Sequence, residues 1–455
     1  MKKPLFIFLF LILCLSLSGC TLPFFDSDSL MHPPSAAGDG QEIQETLNDA
    51  LGTGYILRYP RSGTHRSAII RADLDGDEVD EAVVFYRSST DTAGTRLAIM
   101  DESEGSWNVV CQESGDGSDV DRVLFLDCTG DGCSELVIGW QSYTGSNIVA
   151  AYKYSGGALS DLSVTETTEA TGVQSRLSYS ELAACDIDSD GRDELFVASI
   201  DTINSESSVK MMKYAPSGAA GTLTVADEIP LDQSITGFSS STSGEVAPGV
   251  TGIYIGTYRR GSSIATDLIV WNSKSGRMSA PFSSLPKPFL RTNDTQPEDI
   301  GEDGILKFAV DTVLPSFSHD RSEMLYLTTW LKYSPDSKEK AEKYITRLEF
   351  PDKGYSVSFP DEWIGRVTAE RALDDDVVYF FGYTEEGLGN ELFRIKIFSA
   401  EEWKKQPEPP EDEAQFFYRS IHSDSYNVYA VLLSTTAFQF GITNDLIESC
   451  FQPLG

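Results

Sequence analysis

The chain has 455 residues and a mass of 49.9 kDa, with 35 Lys+Arg against 70 Asp+Glu, a formal net charge of −35 and a pI near 4.3. Hydrophobic residues make up 40% and aromatics 11%, enough apolar material to build cores and exclude wholesale disorder, and the length allows two or three domains. The acidity excludes a nucleic-acid partner, whose phosphates repel such a surface, and four histidines (His32, His65, His319, His422) leave little for a His-rich metal enzyme.

At the N-terminus, Lys2 and Lys3 precede a nearly unbroken, uncharged apolar run from Leu5 to Leu17. Such a run is short for a mature membrane span and typical of the apolar region of a signal peptide. It ends in Leu17-Ser18-Gly19-Cys20, which resembles the lipobox of bacterial lipoproteins. The resemblance implies a signal peptide over 1–19, cleaved before Cys20, with Cys20 as the lipidated N-terminus on the extracytoplasmic face of the cell membrane. The competing reading is an ordinary secretory signal with a chance cysteine. Residues 20–43, rich in Ser, Pro, Asp and Gly, are expected to form a flexible tether.

Next come repeated acidic loops: Asp73-Leu74-Asp75-Gly76-Asp77-Glu78-Val79-Asp80-Glu81, then Asp127 to Glu135, then Asp186 to Glu194, and a decayed copy from Asp299 to Lys307. The last step is close to twice the earlier ones, which predicts a hidden copy near 243, where Gly244 to Gly252 has lost its acidic loop. A repeat of roughly 56 residues is therefore expected five times. Each loop leads into a β-rich run: Ala82 to Tyr86, Leu136 to Trp140, Leu195 to Ala198, Ile253 to Gly256 and Phe308 to Val310. Second runs follow at Leu97 to Met100, Ile148 to Tyr152, Val209 to Tyr214, Leu268 to Trp271 and Leu325 to Trp330, with further strands such as Trp107 to Val110 and Val123 to Leu126. Four strands per repeat predict a mainly β fold, a β-propeller of about five four-stranded blades over residues 44–333. The last blade lacks a fourth strand after Tyr333, so Tyr55 to Tyr59 is expected to close the ring by completing it.

Over residues 55–333 the loops resemble the FG-GAP/VCBS-type repeats of integrin-like propellers, with their Asp-x-Asp-x-Asp-Gly-x-x-Asp/Glu-Leu consensus. Calcium takes six to eight oxygens, and alternating carboxylates on a tight loop supply them. The resemblance implies ligation by Asp73, Asp75, Asp77, the Val79 carbonyl and Glu81, and by Asp186, Asp188, Asp190, the Arg192 carbonyl and Glu194. The second loop offers Asp127, Thr129, Asp131, the Cys133 carbonyl and Glu135, with weaker binding expected from the lost carboxylate. The decayed loop has Gly301 at one ligand position and Lys307 at the closing one, and is expected to be metal-free with the lysine as internal counter-ion. The calcium is expected to be structural. Two readings compete: an EF-hand, which needs flanking helices where the sequence has strands, and plain Asp-rich turns with no ion.

After the signal the cysteines are Cys20, Cys111, Cys128, Cys133, Cys185 and Cys450. Cys128 and Cys133 flank the second loop, either as a disulfide or as small buried hydrophobes. Residues 334–343 are charged and read as a linker or short solvated helix. Residues 344–455 are expected to form a separate α+β domain. Its strands are expected at Thr346 to Phe350, Tyr355 to Phe359, Val377 to Tyr383, Leu392 to Phe398 and Tyr426 to Ser434, and helices at Ala400 to Lys405, Glu413 to Ser420 and Asn444 to Phe451. Tyr355 to Trp363 is similar to the opening strand-turn of PsbP-like α/β domains, over that one strand only.

No nucleophile elbow, zinc-protease helix, Walker loop or dinucleotide fingerprint is present. His65 and His422 lie near Ser and Arg without a catalytic pattern, and Trp140, Trp271 and Trp330 recur at strand positions suited to inter-blade packing. The sequence thus reads as a membrane-anchored lipoprotein whose propeller binds or scaffolds a protein or glycan at the cell surface. The alternatives are a cell-envelope enzyme acting on wall or polysaccharide with its site on the propeller axis, or a C-terminal domain that holds the ligand.

Overall fold

The computed structural model describes residues 39–454 apart from 53, 90–93, 104, 163, 169–172, 202–203, 205, 217–220, 260–262, 316–323, 372–375 and 408–416. The signal peptide, the Cys20 lipobox and the tether as far as residue 38 lie outside the described residues. Residues 39–43 are not tether. They open helix α1 (Asp39–Leu51), whose Ile43, Leu47 and Leu51 fall one turn apart on a single face.

The described residues are mainly β, in six antiparallel sheets of four or five strands and one two-stranded hairpin. Sheet 1 contains β1 (Tyr55–Arg58), β2 (Ile69–Ala72), β3 (Glu81–Ser88), β4 (Arg96–Ser103) and β5 (Ser106–Ser114). Sheet 2 contains β6 (Asp119–Leu126), β7 (Glu135–Gln141), β8 (Asn147–Ser155) and β9 (Ala158–Asp161). The hairpin β10 (Thr165–Thr168) and β11 (Val173–Arg176) follows, and β12 (Ser178–Tyr179) returns to β8. Sheet 3 is β13 (Glu181–Cys185), β14 (Glu194–Asp201), β15 (Glu206–Ala215) and β16 (Thr222–Pro230). Sheet 4 is β17 (Ile235–Ala247), β18 (Val250–Arg259), β19 (Ile264–Asn272), β20 (Arg277–Ser279) and β21 (Phe289–Arg291). Sheet 5 holds β22 (Lys307–Val313), β23 (Tyr326–Tyr333), β24 (Ala341–Phe350) and β25 (Tyr355–Ser358). Sheet 6 holds β26 (Val367–Arg371), β27 (Val377–Thr384), β28 (Gly387–Ser399), β29 (Arg419–Ser423) and β30 (Asn427–Leu433), and β31 (Phe451–Pro453) returns to pair with β25. Two short helices, α2 (Ala400–Trp403) and α3 (Asn444–Cys450), complete the chain.

The sheets pack in sequence order through cores built from alternate residues of each strand. Val83, Phe85 and Ile99 of sheet 1 meet Leu136, Ile138 and Trp140 of sheet 2. Val137 and Val149 then meet Leu195 and Val197 of sheet 3, whose Phe196 and Met211 meet Ile253 and Ile269 of sheet 4. Tyr254 and Leu268 meet Phe308 and Tyr333 of sheet 5. Leu348, Phe350 and Val357 meet Val378, Phe380 and Phe393 of sheet 6. The face of sheet 1 turned away from sheet 2 (Ala82, Val84, Ala98, Met100) is covered by Ile43 and Leu47 of α1. Among the described residues no such core joins sheet 1 to sheet 5 or 6.

Three expectations are corrected by the pairing. The Tyr55 strand does not complete the last blade: β1 lies along β3 (Tyr55↔Ser88 to Arg58↔Phe85), end to end with β2. Tyr55 and Leu57 pack with α1 on the same face, and Tyr55 donates its hydroxyl to Asn48 at 2.9 Å. Sheet 5 takes its next strand from its own chain, since β24 pairs with β23. The charged segment 334–343 is therefore a hairpin connection running into a strand, closed by Ser334 N–H to the Lys340 carbonyl at 3.0 Å, and sheet 5 straddles the boundary placed there. Of the helix expected at Glu413 to Ser420, 413–416 lie outside the described residues and Arg419 and Ser420 are in β29. The lost fourth copy is a tight hairpin, β17 to β18, with Ala247 opposite Val250.

Candidate functional site

The four acidic loops share one backbone. The fourth and sixth residues of each are left-handed: Gly76 and Glu78 (φ 82° and 69°), Gly130 and Gly132 (75° and 86°), Ser189 and Gly191 (61° and 84°), Glu302 and Gly304 (52° and 80°). The leading aspartate holds that conformation by accepting backbone N–H groups, at 2.7 Å from Gly76, 2.7 Å from Gly130, 2.9 Å from Gly191 and 2.7 Å from Gly304. The closing acid reaches back to the loop's second residue: Glu81 to Leu74 N–H at 2.7 Å, Glu135 to Cys128 N–H at 2.9 Å and Glu194 to Ile187 N–H at 3.0 Å. Successive loops touch, because Cys133 lies against Gly76 and Arg192 against Gly130, where an added Cβ would come within 2.9 Å of either side chain. Strands flank the first three loops and follow the fourth, so the EF-hand alternative fails. Cys128 and Cys133 are unbonded, as are Cys111, Cys185 and Cys450.

What fills the loops differs. In the second, the Lys153 ammonium bonds to Asp131 and lies 3.1 Å from Thr129 Oγ1 and 3.4 Å from Glu135. In the third, Lys213 reaches Asp188 at 2.6 Å, Asp190 at 2.9 Å and Glu194 at 3.0 Å. Desolvation works to lower the Lys213 pKa, but these three carboxylates outweigh it and raise it. In the decayed loop Lys307, fully buried, bonds to Asp303 and to Asp299 at 2.9 Å. In the third loop carboxylate oxygens of Asp186, Asp188, Asp190 and Glu194 lie within 4.8 Å of one another, a set that could hold a metal ion once Lys213 moved aside; as they stand, an ammonium occupies the cation's place in all three loops. Asp127 and the Cys133 and Arg192 amides serve the turn itself.

The first loop has no lysine. Carboxylate oxygens of Asp73, Asp75 and Glu81 lie within 4.8 Å of one another. Glu81 is fully buried, and its Oε1 has no hydrogen-bond partner. Burial pushes the Glu81 pKa up to about 7, against the Leu74 N–H, with help from the charges of Asp75 and Asp101. Asp101 occupies the register position of the two lysines: Ala82 pairs with Met100 as Leu136 pairs with Tyr152 and Leu195 with Met212. An all-oxygen donor set with an orphaned buried oxygen fits calcium. Asp77 stands outside this set, its carboxylate accepting Val79 N–H at 2.8 Å.

A second feature lies where the first strands of successive sheets converge. A cavity of about 760 Å³ is lined by residues 61–66, by β6, β13 and β17, and by Asp294 and Gln296 ahead of sheet 5. A polar belt braces it across three sheets and the β1–β2 connection. Arg122 donates to Ser62 Oγ at 3.2 Å and pairs in two-pronged fashion with Glu181, the outer contact at 2.9 Å, and Ser241 Oγ donates to Glu181 at 2.7 Å. His65 sits edge-on to Phe125 at 5.1 Å, and burial lowers its pKa. His422 packs instead on Tyr429 and Phe451. Trp140 and Trp330 are buried, and Trp271 packs against the core between sheets 3 and 4. The sequence did not disclose this belt, nor Lys153 and Lys213, although it marked Lys307 as an internal counter-ion, and Lys307 does pair with Asp299 and Asp303; a lysine at one place in the strand following that of Glu135 and that of Glu194 was the available signal.

No family model and no curated protein matches the chain. Among solved structures it is similar to the exotype rhamnogalacturonan lyase YesX (12% identity over 64% of this chain and 62% of that one, TM-score 0.24). It is also similar to AofleA from Arthrobotrys oligospora (14%, 74% and 89%, TM-score 0.27) and to Saccharomyces cerevisiae Sqt1 (12%, 83% and 95%, TM-score 0.30). The chain thus spans less than two thirds of the lyase. Among the described residues no helix is long and apolar enough to cross a membrane.

Proposed function

We propose that the chain is a lipid-anchored, extracytoplasmic binding module. Cys20 holds it to the membrane, and a propeller-type array of FG-GAP/VCBS-like repeats presents the cavity to a protein or glycan at the cell surface. The observation that carries this reading is the convergence of the innermost strands on one open, polar, braced cavity. Binding rather than hydrolysis is supported by its two carboxylates being committed, Glu181 to Arg122 and Asp294 to Arg291 at 3.5 Å. Calcium in this reading is structural and belongs to the first loop, where Asp73, Asp75 and Glu81 would hold it and Asp101 would add charge.

The test is to express the full chain in a bacterial host with radiolabelled palmitate and to expose intact cells (or spheroplasts) to protease. The expected result is label on the wild type, loss of label in Cys20→Ala, and cleavage of the wild type from outside. An unlabelled wild type that stays in the cytoplasm would overturn the proposal.

A further inference from the structure

The cavity has a charge character opposite to that of the chain. Of its charged groups, Arg122 and Glu181 cancel, and Asp294 is matched by buried Arg291. Two arginines remain, both exposed and both on the connection between β1 and β2. Arg61 donates to the neutral Gln141 side chain at 2.7 Å, and Arg66 has no hydrogen-bond or ion-pair partner among the described residues. In a chain of net charge −35, two guanidinium groups without carboxylate partners at one cavity are a local reversal of field, and guanidinium suits oxyanions.

The wall supplied by β17 is the second observation. Ser239, Ser240, Ser241, Thr242 and Ser243 run consecutively, the first four partly exposed and Ser243 exposed, and all line the cavity. A strand packed in a core carries apolar residues on at least alternate positions, and this stretch carries none. Ser243 donates to the Ala184 carbonyl at 3.0 Å, and the Ser241 hydroxyl is shared between Glu181 at 2.7 Å and the Leu182 carbonyl at 3.0 Å, which holds the row against β13. Hydroxyl-bearing residues of β17, two arginines and the His65–Phe125 ring pair along one cavity are the complement of a polyhydroxylated ligand bearing an anion. A volume of about 760 Å³ is suited to a ligand of one or two sugar units.

We propose that this cavity binds a sugar or polyol carrying an oxyanion, with Arg61 and Arg66 on the anion and the β17 hydroxyls on the ligand's hydroxyl groups. The assignment rests on the binding-module reading and specifies its ligand class. The oxyanion comes either from a uronic acid carboxylate or from a phosphate ester.

The test uses the full chain in detergent micelles at low ionic strength, titrated calorimetrically with glucuronate, glucose 6-phosphate and glucose. At least one anion is expected to bind about tenfold or more tighter than glucose and to weaken as salt screens the arginines. Tight binding of glucuronate alone assigns the carboxylate source, and of glucose 6-phosphate alone the phosphate source. Arg61→Gln with Arg66→Gln should abolish the preference, while Arg419→Gln, on the remote sheet 6, should leave it intact. Glucose binding as tightly as both anions would overturn the anionic class and leave the binding reading standing. Binding of no probe to a protein that melts cooperatively would overturn both, and an undiminished preference in the double variant would move the site elsewhere.

Discussion

Lys213 stands where the third loop would otherwise gather a metal ion, with its ammonium in contact with three carboxylates and only a quarter of its side chain exposed (27%). A covalently tethered cation does not dissociate, so on this reading loops two, three and the decayed copy should keep their shape whatever the external calcium. On the proposed reading the first loop, with Asp101 at that position, would take its cation from solution. Lys213→Met removes the tethered charge beside fully buried Glu194. It is expected to lower stability in EDTA by about 1–3 kcal/mol, the cost of an unpaired buried acceptor. Added calcium should recover that loss, since the vacated loop then offers oxygens alone. The converse, Asp101→Lys, should remove the wild type's calcium-dependent rise in melting temperature while keeping the fold. Thermal melts of the three proteins in EDTA and in calcium decide it. A calcium response that survives Asp101→Lys would show that the first loop is not the ion site.

At the scale of elements, α1 is the piece composition conceals. Its residues up to 43 continue a Ser/Pro/Asp-rich stretch, yet Ile43 and Leu47 are buried against the free face of sheet 1. Leu47→Ala is expected to cost about 2–5 kcal/mol in a urea titration. Asp49→Ala, on the exposed face of the same helix, should stay within about 0.5 kcal/mol of wild type. Equal effects would mean the helix is no part of the cooperative fold. What was legible in the sequence follows the same division. The acidic loops are readable because nine neighbouring residues specify both their turn and their closing contact. Strands such as Ala82 to Tyr86 are readable because both faces are apolar. The partner of β1 is not readable, since Tyr55 to Arg58 has a strand pattern compatible with any open edge. Its choice of β3 depends on α1 and on Arg58 meeting Asp119 of β6, 61 residues away. Lys153 and Lys213 hide for the same reason, since their role appears only once the register with the preceding strand is known.

For the whole molecule, two kinds of linkage must be distinguished. Among the described residues the apolar cores tie each sheet to its sequence neighbours, an arrangement whose stability is a sum of local terms. The belt through Ser62, Arg122, Glu181 and Ser241 instead links the β1–β2 connection to three sheets around the cavity. Its central pair is largely buried, with side-chain exposures of 13% for Arg122 and 4% for Glu181. Arg122→Met leaves the Glu181 carboxylate buried without its counter-charge, and a loss of about 3–5 kcal/mol is expected. Arg122→Met combined with Glu181→Leu removes both charges, and the double variant should be more stable than Arg122→Met alone. A buried pair and an apolar pair of similar volume often differ little in stability. What the apolar replacement cannot supply is the fixed spacing of the inner strands, so the double variant should fold and yet lose discrimination between glucuronate and glucose. Urea titrations of the four proteins in the cycle give the coupling, and calorimetry on the double variant reads the cavity. A double variant no more stable than Arg122→Met would place the cost in lost packing around the arginine stem. Full retention of ligand discrimination would show that the belt braces the fold without shaping the cavity.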